Sequence, residues 1–182
     1  VDPASLRAFL DTVAPCAVAG ELTVTLLSRG RSNPTFSVTD GVHDWILRRP
    51  PFGQVLESAH DMAREFRVMS ALQGTAVPVP RTIAYCGDES VIGAEFYVMD
   101  RLDGITFRNA EESSVLTLEQ QAALSESMIR TFVDLHEVDV ASVGLADFGR
   151  PEGFLERQVV RWRKQWDAAH LVERPEVDLL LD

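Results

Sequence analysis

Residues 26–49 read LLSRGRSNPTFSVTDGVHDWILRR, and this stretch predicts the centre of the fold. β-Branched and aromatic residues lie on both sides of Asp40-Gly41, as they do in two strands joined by a tight turn. The loop before the first strand is rich in small polar residues, which can point backbone N–H groups at an anion: Ser28, Gly30, Ser32 and Asn33. Four arginines lie in or beside the hairpin: Arg29, Arg31, Arg48 and Arg49. We therefore predict a hairpin preceded by a phosphate-binding loop.

An ordinary hairpin with solvent-exposed arginines would show the same local pattern, because a single glycine in a polar loop is a weak motif. The basic cluster nevertheless stands out in a chain whose formal net charge is -11 at pH 7. The order of the elements along the rest of the chain favours the phosphate loop.

The composition is that of a globular protein with a hydrophobic core, since 46% of the 182 residues are hydrophobic. The length suits one domain, or one small domain and part of another. The acidity argues against nucleic acid as a partner. No apolar run approaches the roughly 18 residues that span a bilayer, and the first residues lack the pattern of a signal peptide. We therefore expect a cytoplasmic protein that does not bind membranes.

The two cysteines, Cys16 and Cys86, lie far apart in apolar contexts, and we expect both to be buried free thiols. No Cys-x-x-Cys or His-x-x-x-His spacing occurs. The sequence therefore predicts no transition-metal site built by the protein.

The first hundred residues alternate between helix and strand patterns. Asp2-Pro3 can cap a short helix that runs to about Thr12. Residues 58–73 carry one apolar stripe and predict a second helix. Strands are predicted at Leu22 to Leu27, Thr82 to Cys86 and Glu95 to Met99, in addition to the hairpin.

Downstream of a polar connector at 100–104 the pattern becomes helical. Thr117 and Gln120 have the spacing of a capping box, for a helix that ends near His136. A further helix is predicted from Gly153, and Pro175 is expected to start a last one. The helix from Gly153 carries an apolar stripe that we expect to be core: Leu155, Val159, Trp162 and Trp166.

This order of elements is that of the small lobe of a kinase followed by the start of a helical lobe. The loop from Gly30 to Thr35 would cover the phosphates of a nucleotide. Arg48 ends its strand where kinases have the lysine that touches the α- and β-phosphates. Glu65, midway along the next helix, would hold that cation by an ion pair. Residues 96–102 would form the hinge, whose backbone groups can hydrogen-bond adenine.

Several segments resemble the aminoglycoside phosphotransferase (APH)-like kinases, most closely the branch also found fused to acyl-CoA dehydrogenases: SNPTF, WILRRPP, AREFRVMSAL, VPVPRTIAYC, FYVMDRLDG, DLHEVD and VGLADFGRPEGFLERQVVRWRKQW. The resemblance covers essentially the whole chain. It implies an α+β, protein-kinase-like fold: a small lobe with an antiparallel sheet plus helix, then the beginning of a helical C-terminal lobe. It also implies a small-molecule kinase that uses ATP and Mg²⁺. The nucleotide-binding residues implied are Gly30, Ser32, Asn33, Arg48, Glu65, Met99, Asp100 and Leu102.

The chain departs from that family in three ways. The catalytic loop, His-Gly-Asp followed four residues later by Asn, does not occur in the sequence. Asp147-Phe148-Gly149 lies before the helix that should precede that loop, so we interpret it as a coincidental triplet and not as the metal-binding one. Arg48 stands where the family usually has lysine, so a planar guanidinium replaces a compact ammonium charge. The resemblance therefore predicts no catalytic residue and no metal ligand within this chain. On its own, the chain should not catalyse phosphoryl transfer.

We accordingly expect residues 1–101 to form the nucleotide-binding lobe, and residues 102–182 the hinge exit and the first helices of an incomplete C-terminal lobe. A second chain or a cleaved half would supply the rest. The predicted function is transfer of the γ-phosphoryl group of ATP to a hydroxyl of an aminoglycoside-like, sugar or hydroxyacyl substrate. The alternative is a catalytically incomplete nucleotide-binding or interaction module.

Overall fold

A computed structural model describes residues 1–28, 33–51, 61–107, 109–150 and 152–169. The chain divides into two compact units, Val1–Asp139 and Val140–Asp182. The expected lobe boundary after residue 101 lies inside the first unit and stays a prediction. In chain order the elements of the described residues are α1 (Pro3–Val13), β1 (Thr23–Ser28), β2 (Thr35–Thr39), β3 (Asp44–Arg48), α2 (Met62–Leu72), β4 (Thr82–Cys86), β5 (Phe96–Asp100), α3 (Ala110–Ser113), α4 (Leu118–His136) and α5 (Phe154–Ala169).

A five-stranded sheet in the order β1-β2-β3-β5-β4 organises the first unit, and all of its strand pairs are antiparallel. Its centre is the hairpin of β2 and β3, in which Val38 lies opposite Trp45. β5 lies between β3 and β4 and places Tyr97 opposite Arg48. The predicted antiparallel sheet is confirmed, with strand ends within one or two residues of those expected.

One face of the sheet is buried against α1. Strand residues alternate between the two faces, so Leu47 and Val98 face this core while Arg48 and Tyr97 point to the opposite side. Each fully buried leucine contributes about 1.5–3 kcal/mol relative to exposure. The core cluster comprises Leu6, Leu10, Val18, Leu22, Phe36, Val38, Trp45, Leu47, Ala84, Cys86, Phe96 and Val98.

The turn between β2 and β3 is held by the buried carboxylate of Asp40. Its oxygens accept backbone hydrogen bonds from Val42 at 2.8 Å and His43 at 2.7 Å, and one from Ala19 at 2.7 Å. Burial by itself raises the pKa of Asp40, but these three donors outweigh it and hold the pKa well below its usual range. The Asp-Gly turn was predicted. The hydrogen bond from Ala19, in the segment after α1, to Asp40 was not, because it joins residues that are distant in sequence.

The helix starts follow the capping chemistry of the sequence. Asp61 caps α2 by accepting from the backbone of Arg64 at 2.8 Å. The helix predicted over residues 58–73 is therefore wrong at Asp61, which is an extended cap residue, and residues 58–60 lie outside the described residues. Thr117 and Gln120 form the predicted capping box at the start of α4, with bonds of 2.9 Å and 3.2 Å. The helix predicted from Pro175 also lies outside the described residues.

Two expectations about burial are wrong within the described residues. The stripe on α5 is not core, since Leu155 is 77% exposed and Trp162 is 56% exposed. Helical periodicity shows which face is apolar, but it does not supply the surface that buries this face. Cys16 is exposed and has a left-handed backbone conformation with φ of 68°; Cys86 is buried, as expected.

Within the described part of the chain, none of the helices combines the length and the apolar character needed to cross a membrane.

Candidate functional site

The candidate site lies on the face of the sheet that is opposite to α1, where β3 and β5 run side by side beneath α2. Arg48 is the last residue of β3 and is paired in register with Tyr97. Residues that are opposite each other in an antiparallel pair project to the same face, so both side chains reach toward α2. Glu65 lies in the first turn of this helix. Three elements that are far apart in sequence thus bring one cation, one phenol and one carboxylate together.

Glu65 is the acceptor at the centre of this cluster. Its Oε2 lies 2.9 Å from NH1 of Arg48 and accepts a 2.9 Å hydrogen bond from the Tyr97 hydroxyl. NH1 of Arg48 also donates to the Tyr97 oxygen at 3.2 Å. The three groups form a closed triangle, so that displacing any one of them disturbs both others.

The electrostatics keep Tyr97 a neutral hydrogen-bond donor. Its side chain is fully buried, and burial raises the pKa of the phenol far above its ordinary value. The charge of Arg48 opposes this shift, while the hydrogen bond to Glu65 adds to it. The phenol therefore stays protonated at neutral pH, and its O–H donates a hydrogen bond to Glu65.

Asn33 joins the same cluster from the end of the predicted phosphate loop. Its Nδ2 donates to Oε1 of Glu65 at 3.0 Å, and the residue is only 6% exposed. The side chain thus ties the base of that loop to α2. Gly30 and Ser32, the other two predicted nucleotide-binding residues of the loop, lie outside the described residues.

The predicted hinge, residues 96–102, comprises β5 and the two residues after it. Met99 is half-buried within the strand, whereas Leu102 is 66% exposed beyond it. Asp100 already uses both its backbone and its carboxylate, since its N–H donates to the carbonyl of Arg81 at 2.8 Å and Nε of Arg81 donates to its carboxylate at 2.9 Å. The N–H of Arg101 donates to the carbonyl of Asp44 at 3.2 Å. Contact of Met99, Asp100 and Leu102 with adenine stays a prediction.

Only one of the two consecutive arginines faces the cluster. Arg49 is 3% exposed, and it donates to the carbonyls of Pro50 at 3.2 Å and Ile92 at 3.4 Å. The alternation of strand residues places it on the other side of the backbone from Arg48. The prediction of Arg48, and not Arg49, as the residue that meets Glu65 agrees with this arrangement.

Tyr97 is the member of the cluster that the sequence prediction missed. The signal was present, because Tyr97 lies two residues before Met99 and must share its face of the strand. What the sequence lacked was the register that sets this tyrosine opposite Arg48.

The described residues contain no group of three or more His, Cys, Asp or Glu side chains that could hold a metal ion. The ligands of the expected Mg²⁺ were predicted to lie outside this chain, and that expectation stays untested.

Comparison with known proteins identifies the family to which the chain belongs. Residues 23–182 match the family model for the phosphotransferase enzyme family (APH). The chain is 41% identical over 166 residues to acyl-CoA dehydrogenase family member 11 of Gallus gallus, which covers 91% of this chain and 21% of the relative. It is 32% identical over 177 residues to acyl-CoA dehydrogenase family member 10 of Mus musculus, which covers 97% and 16%.

A solved structure is similar over the whole chain. A crystal structure from Ralstonia eutropha JMP134, described provisionally as an aminoglycoside phosphotransferase, matches with a TM-score of 0.83 and 33% identity. The match covers 100% of this chain and 52% of that chain. The chain therefore spans about half of the solved structure and about a fifth of the curated relatives.

Proposed function

We propose that this chain, which belongs to the phosphotransferase enzyme family (APH), forms the nucleotide-binding part of an ATP-dependent kinase that phosphorylates a hydroxyl of a small molecule. The observation that carries the proposal is the 2.9 Å contact between Arg48, at the end of β3, and Glu65 of α2. A cation held by a helix acid beside the hinge strand is the arrangement that kinases use to bind the phosphates of ATP.

The residues present suit a nucleotide phosphate. A guanidinium has five N–H donors, and the bonds that Arg48 makes to Glu65 and Tyr97 both come from NH1. The side chain is 30% exposed, so its other donors can meet an anion, even in a bidentate geometry. In this role Arg48 would neutralise phosphate charge, and Glu65 would fix the position of the Arg48 guanidinium.

Phosphoryl transfer demands little covalent chemistry from a protein, because most of the catalysis comes from positioning and charge neutralisation. When bound, Mg²⁺ would neutralise further phosphate charge, and we place its ligands outside this chain. The base that prepares the acceptor hydroxyl is placed there too, since the chain lacks the His-Gly-Asp motif. The acceptor we propose is a small hydroxylated molecule of the aminoglycoside-like, sugar or hydroxyacyl type.

This chain spans about half of the solved structure, and we propose that a helical polypeptide, on a second chain or on a cleaved part of the same protein, supplies the remainder of the kinase. The exposed side of α4 supports this, because single large apolar residues at the surface are ordinary but a contiguous set marks an interface. Five residues of α4 are between 47% and 68% exposed: Leu124, Met128, Ile129, Phe132 and Val133.

Nucleotide titration tests the proposal. We expect the chain to bind an ATP analogue with Mg²⁺ in calorimetry, and Arg48→Gln to weaken that binding at least about tenfold, as expected for the loss of a charged hydrogen bond. Arg130→Gln is the matched control: it removes the same charge and an ion pair, to Glu126 on α4, and should leave the affinity unchanged. Equal affinity of the wild type and Arg48→Gln would refute the assignment of Arg48.

The alternative, a nucleotide-binding or interaction module without catalysis, rests on the absence of the His-Gly-Asp motif from the chain. The intact mass of the natural protein under denaturing conditions separates the two. A second polypeptide carrying that motif supports the kinase, and ATP consumption with hydroxylated acceptors would follow. A single 20.2 kDa species supports the module.

A further inference from the structure

We infer that Tyr97 is a positioning residue of the nucleotide site, whose hydroxyl holds Arg48 and Glu65 in one fixed arrangement before phosphate arrives. The inference rests on the proposed function, since it assigns to Tyr97 a role through Arg48. Tyr97 lies within the predicted hinge, residues 96–102, but it is not one of the predicted nucleotide-binding residues.

The Tyr97 hydroxyl makes two hydrogen bonds at the same time. It donates to Oε2 of Glu65 at 2.9 Å and accepts from NH1 of Arg48 at 3.2 Å. A hydroxyl has one proton and two acceptor lone pairs, so both bonds can exist together without competition. A direct ion pair alone leaves the guanidinium free to rotate about its contact with Glu65, whereas a third fixed atom removes that freedom.

Tyr97 is rigid enough to serve as this reference. Its side chain is fully buried, and its ring lies against Phe66 of α2 with 6.2 Å between ring centroids. Phe66 follows Glu65 in the helix, so the same packing sets the position of the acid. Arg48 and Glu65 are themselves 30% and 33% exposed, and exposed ion pairs hold long side chains weakly. The order in the triangle therefore comes from the tyrosine.

The chain offers a matched second tyrosine. Tyr85 on β4 also packs on Phe66, with 5.8 Å between ring centroids. Its hydroxyl donates to Glu95 at 2.8 Å, and burial together with Glu95 raises its pKa to about 12. The two tyrosines thus share the ring contact and a carboxylate partner, but only Tyr97 touches Arg48. Removing either hydroxyl costs one hydrogen bond donated to a carboxylate, and Tyr97→Phe removes in addition the bond that Arg48 donates.

The experiment compares Tyr97→Phe with Tyr85→Phe, each alone and combined with Arg48→Gln, in the 182-residue chain. The phenylalanine variants keep the ring that packs on Phe66, so both should fold, and urea unfolding in parallel checks this. The probe is an ATP analogue with Mg²⁺. We expect Tyr97→Phe to raise the dissociation constant about three- to tenfold, the range of one lost hydrogen bond. Tyr85→Phe should change it less than twofold.

The double variant separates positioning from general stability. If Tyr97 acts through Arg48, Tyr97→Phe adds little once Arg48→Gln has removed the cation, so that the two effects are not additive. A tyrosine with a purely structural role would add its full effect in both backgrounds, and that result overturns the inference. So does an unchanged affinity of Tyr97→Phe beside a weakened Arg48→Gln, while the proposed function stands. Failure of the wild type to bind refutes the proposed function and the inference with it.

Discussion

The guanidinium of Arg48 lies 2.9 Å from the carboxylate of Glu65, although the two residues belong to a strand and a helix separated by residues 49–61. Both side chains are about one-third exposed, and pairs of that kind contribute only about 0–1 kcal/mol to stability. The contact is therefore better explained by what it positions than by what it stabilises. It sets a cation beside β5, the strand proposed as the hinge, where it could meet a nucleotide phosphate under the proposed function.

Arg48→Lys tests whether charge or shape matters at this position. Lysine keeps the charge and can still meet Glu65, but it lacks the planar fork that binds phosphate with two parallel bonds. We expect an affinity for an ATP analogue within about tenfold of the wild type and clearly above that of Arg48→Gln. If the lysine variant binds as weakly as the glutamine variant, charge at this position is not what the nucleotide site uses.

Asn33→Asp should destabilise the chain by setting a second carboxylate against Glu65. The amide nitrogen of Asn33 donates to Glu65 at 3.0 Å in a site where Asn33 is 6% exposed. Replacing a donor by a like charge in a buried position should cost about 1–3 kcal/mol, against about 0.5–1.5 kcal/mol for Asn33→Ala. Urea unfolding at pH 7 and near pH 4 measures the difference. Protonation relieves the repulsion, so the deficit of the aspartate variant should shrink at the lower pH; a deficit equal to that of Asn33→Ala at both pH values would argue against it.

Gly20→Ala should destabilise the hairpin, since a Cβ at this position would lie 2.5 Å from the carbonyl oxygen of Asp40. That neighbour is backbone, so the main chain at Gly20 or at the turn would have to shift, at a cost of about 1–3 kcal/mol. Gly104→Ala is the control, because nothing lies within 4 Å of its added Cβ. Thermal unfolding of both variants checks the prediction, which requires a lower midpoint for Gly20→Ala alone.

Stability should fall in acid partly through Asp40. Its pKa in the folded chain is held well below that of the unfolded chain, so its contribution is complete above about pH 4, the ordinary range of an aspartate. That contribution is lost as the pH falls toward the lower, folded value. Asp40→Asn should therefore cost about 1–3 kcal/mol at pH 7 and progressively less below about pH 4. A difference in unfolding free energy that stays constant from pH 7 to pH 2.5 would contradict this assignment.

The two thiols should react at different rates. Cys16 is exposed, whereas Cys86 is 4% exposed and its pKa is raised by burial. Because the thiolate is the reactive form, we expect a disulfide reagent to modify one thiol rapidly in the native chain and the second only on unfolding. Cys16→Ser should abolish the fast phase. A fast phase that survives this substitution would place the reactive thiol at Cys86.

The secondary structure could be predicted well because its signals are local. The Asp-Gly turn, the Asp2 cap and the capping box at Thr117 each depend on residues within three positions of one another. The site could be predicted in part, since the order of strand, helix and hinge pointed to Arg48 and Glu65. The two errors of burial, at Cys16 and on α5, have one cause: an apolar neighbourhood in sequence does not say what covers it in space.

The amino-acid sequence by itself determined the antiparallel hairpin, the helix starts and the family resemblance, because turn residues, alternation and caps act over a few residues. Only the tertiary structure decided that Tyr97 closes the triangle with Arg48 and Glu65, and that Asn33 ties the base of the loop to α2. The physical reason is register. Which residue lies opposite Arg48 follows from how β5 is aligned against β3, and that alignment is set by the packing of the whole sheet on α1 and α2.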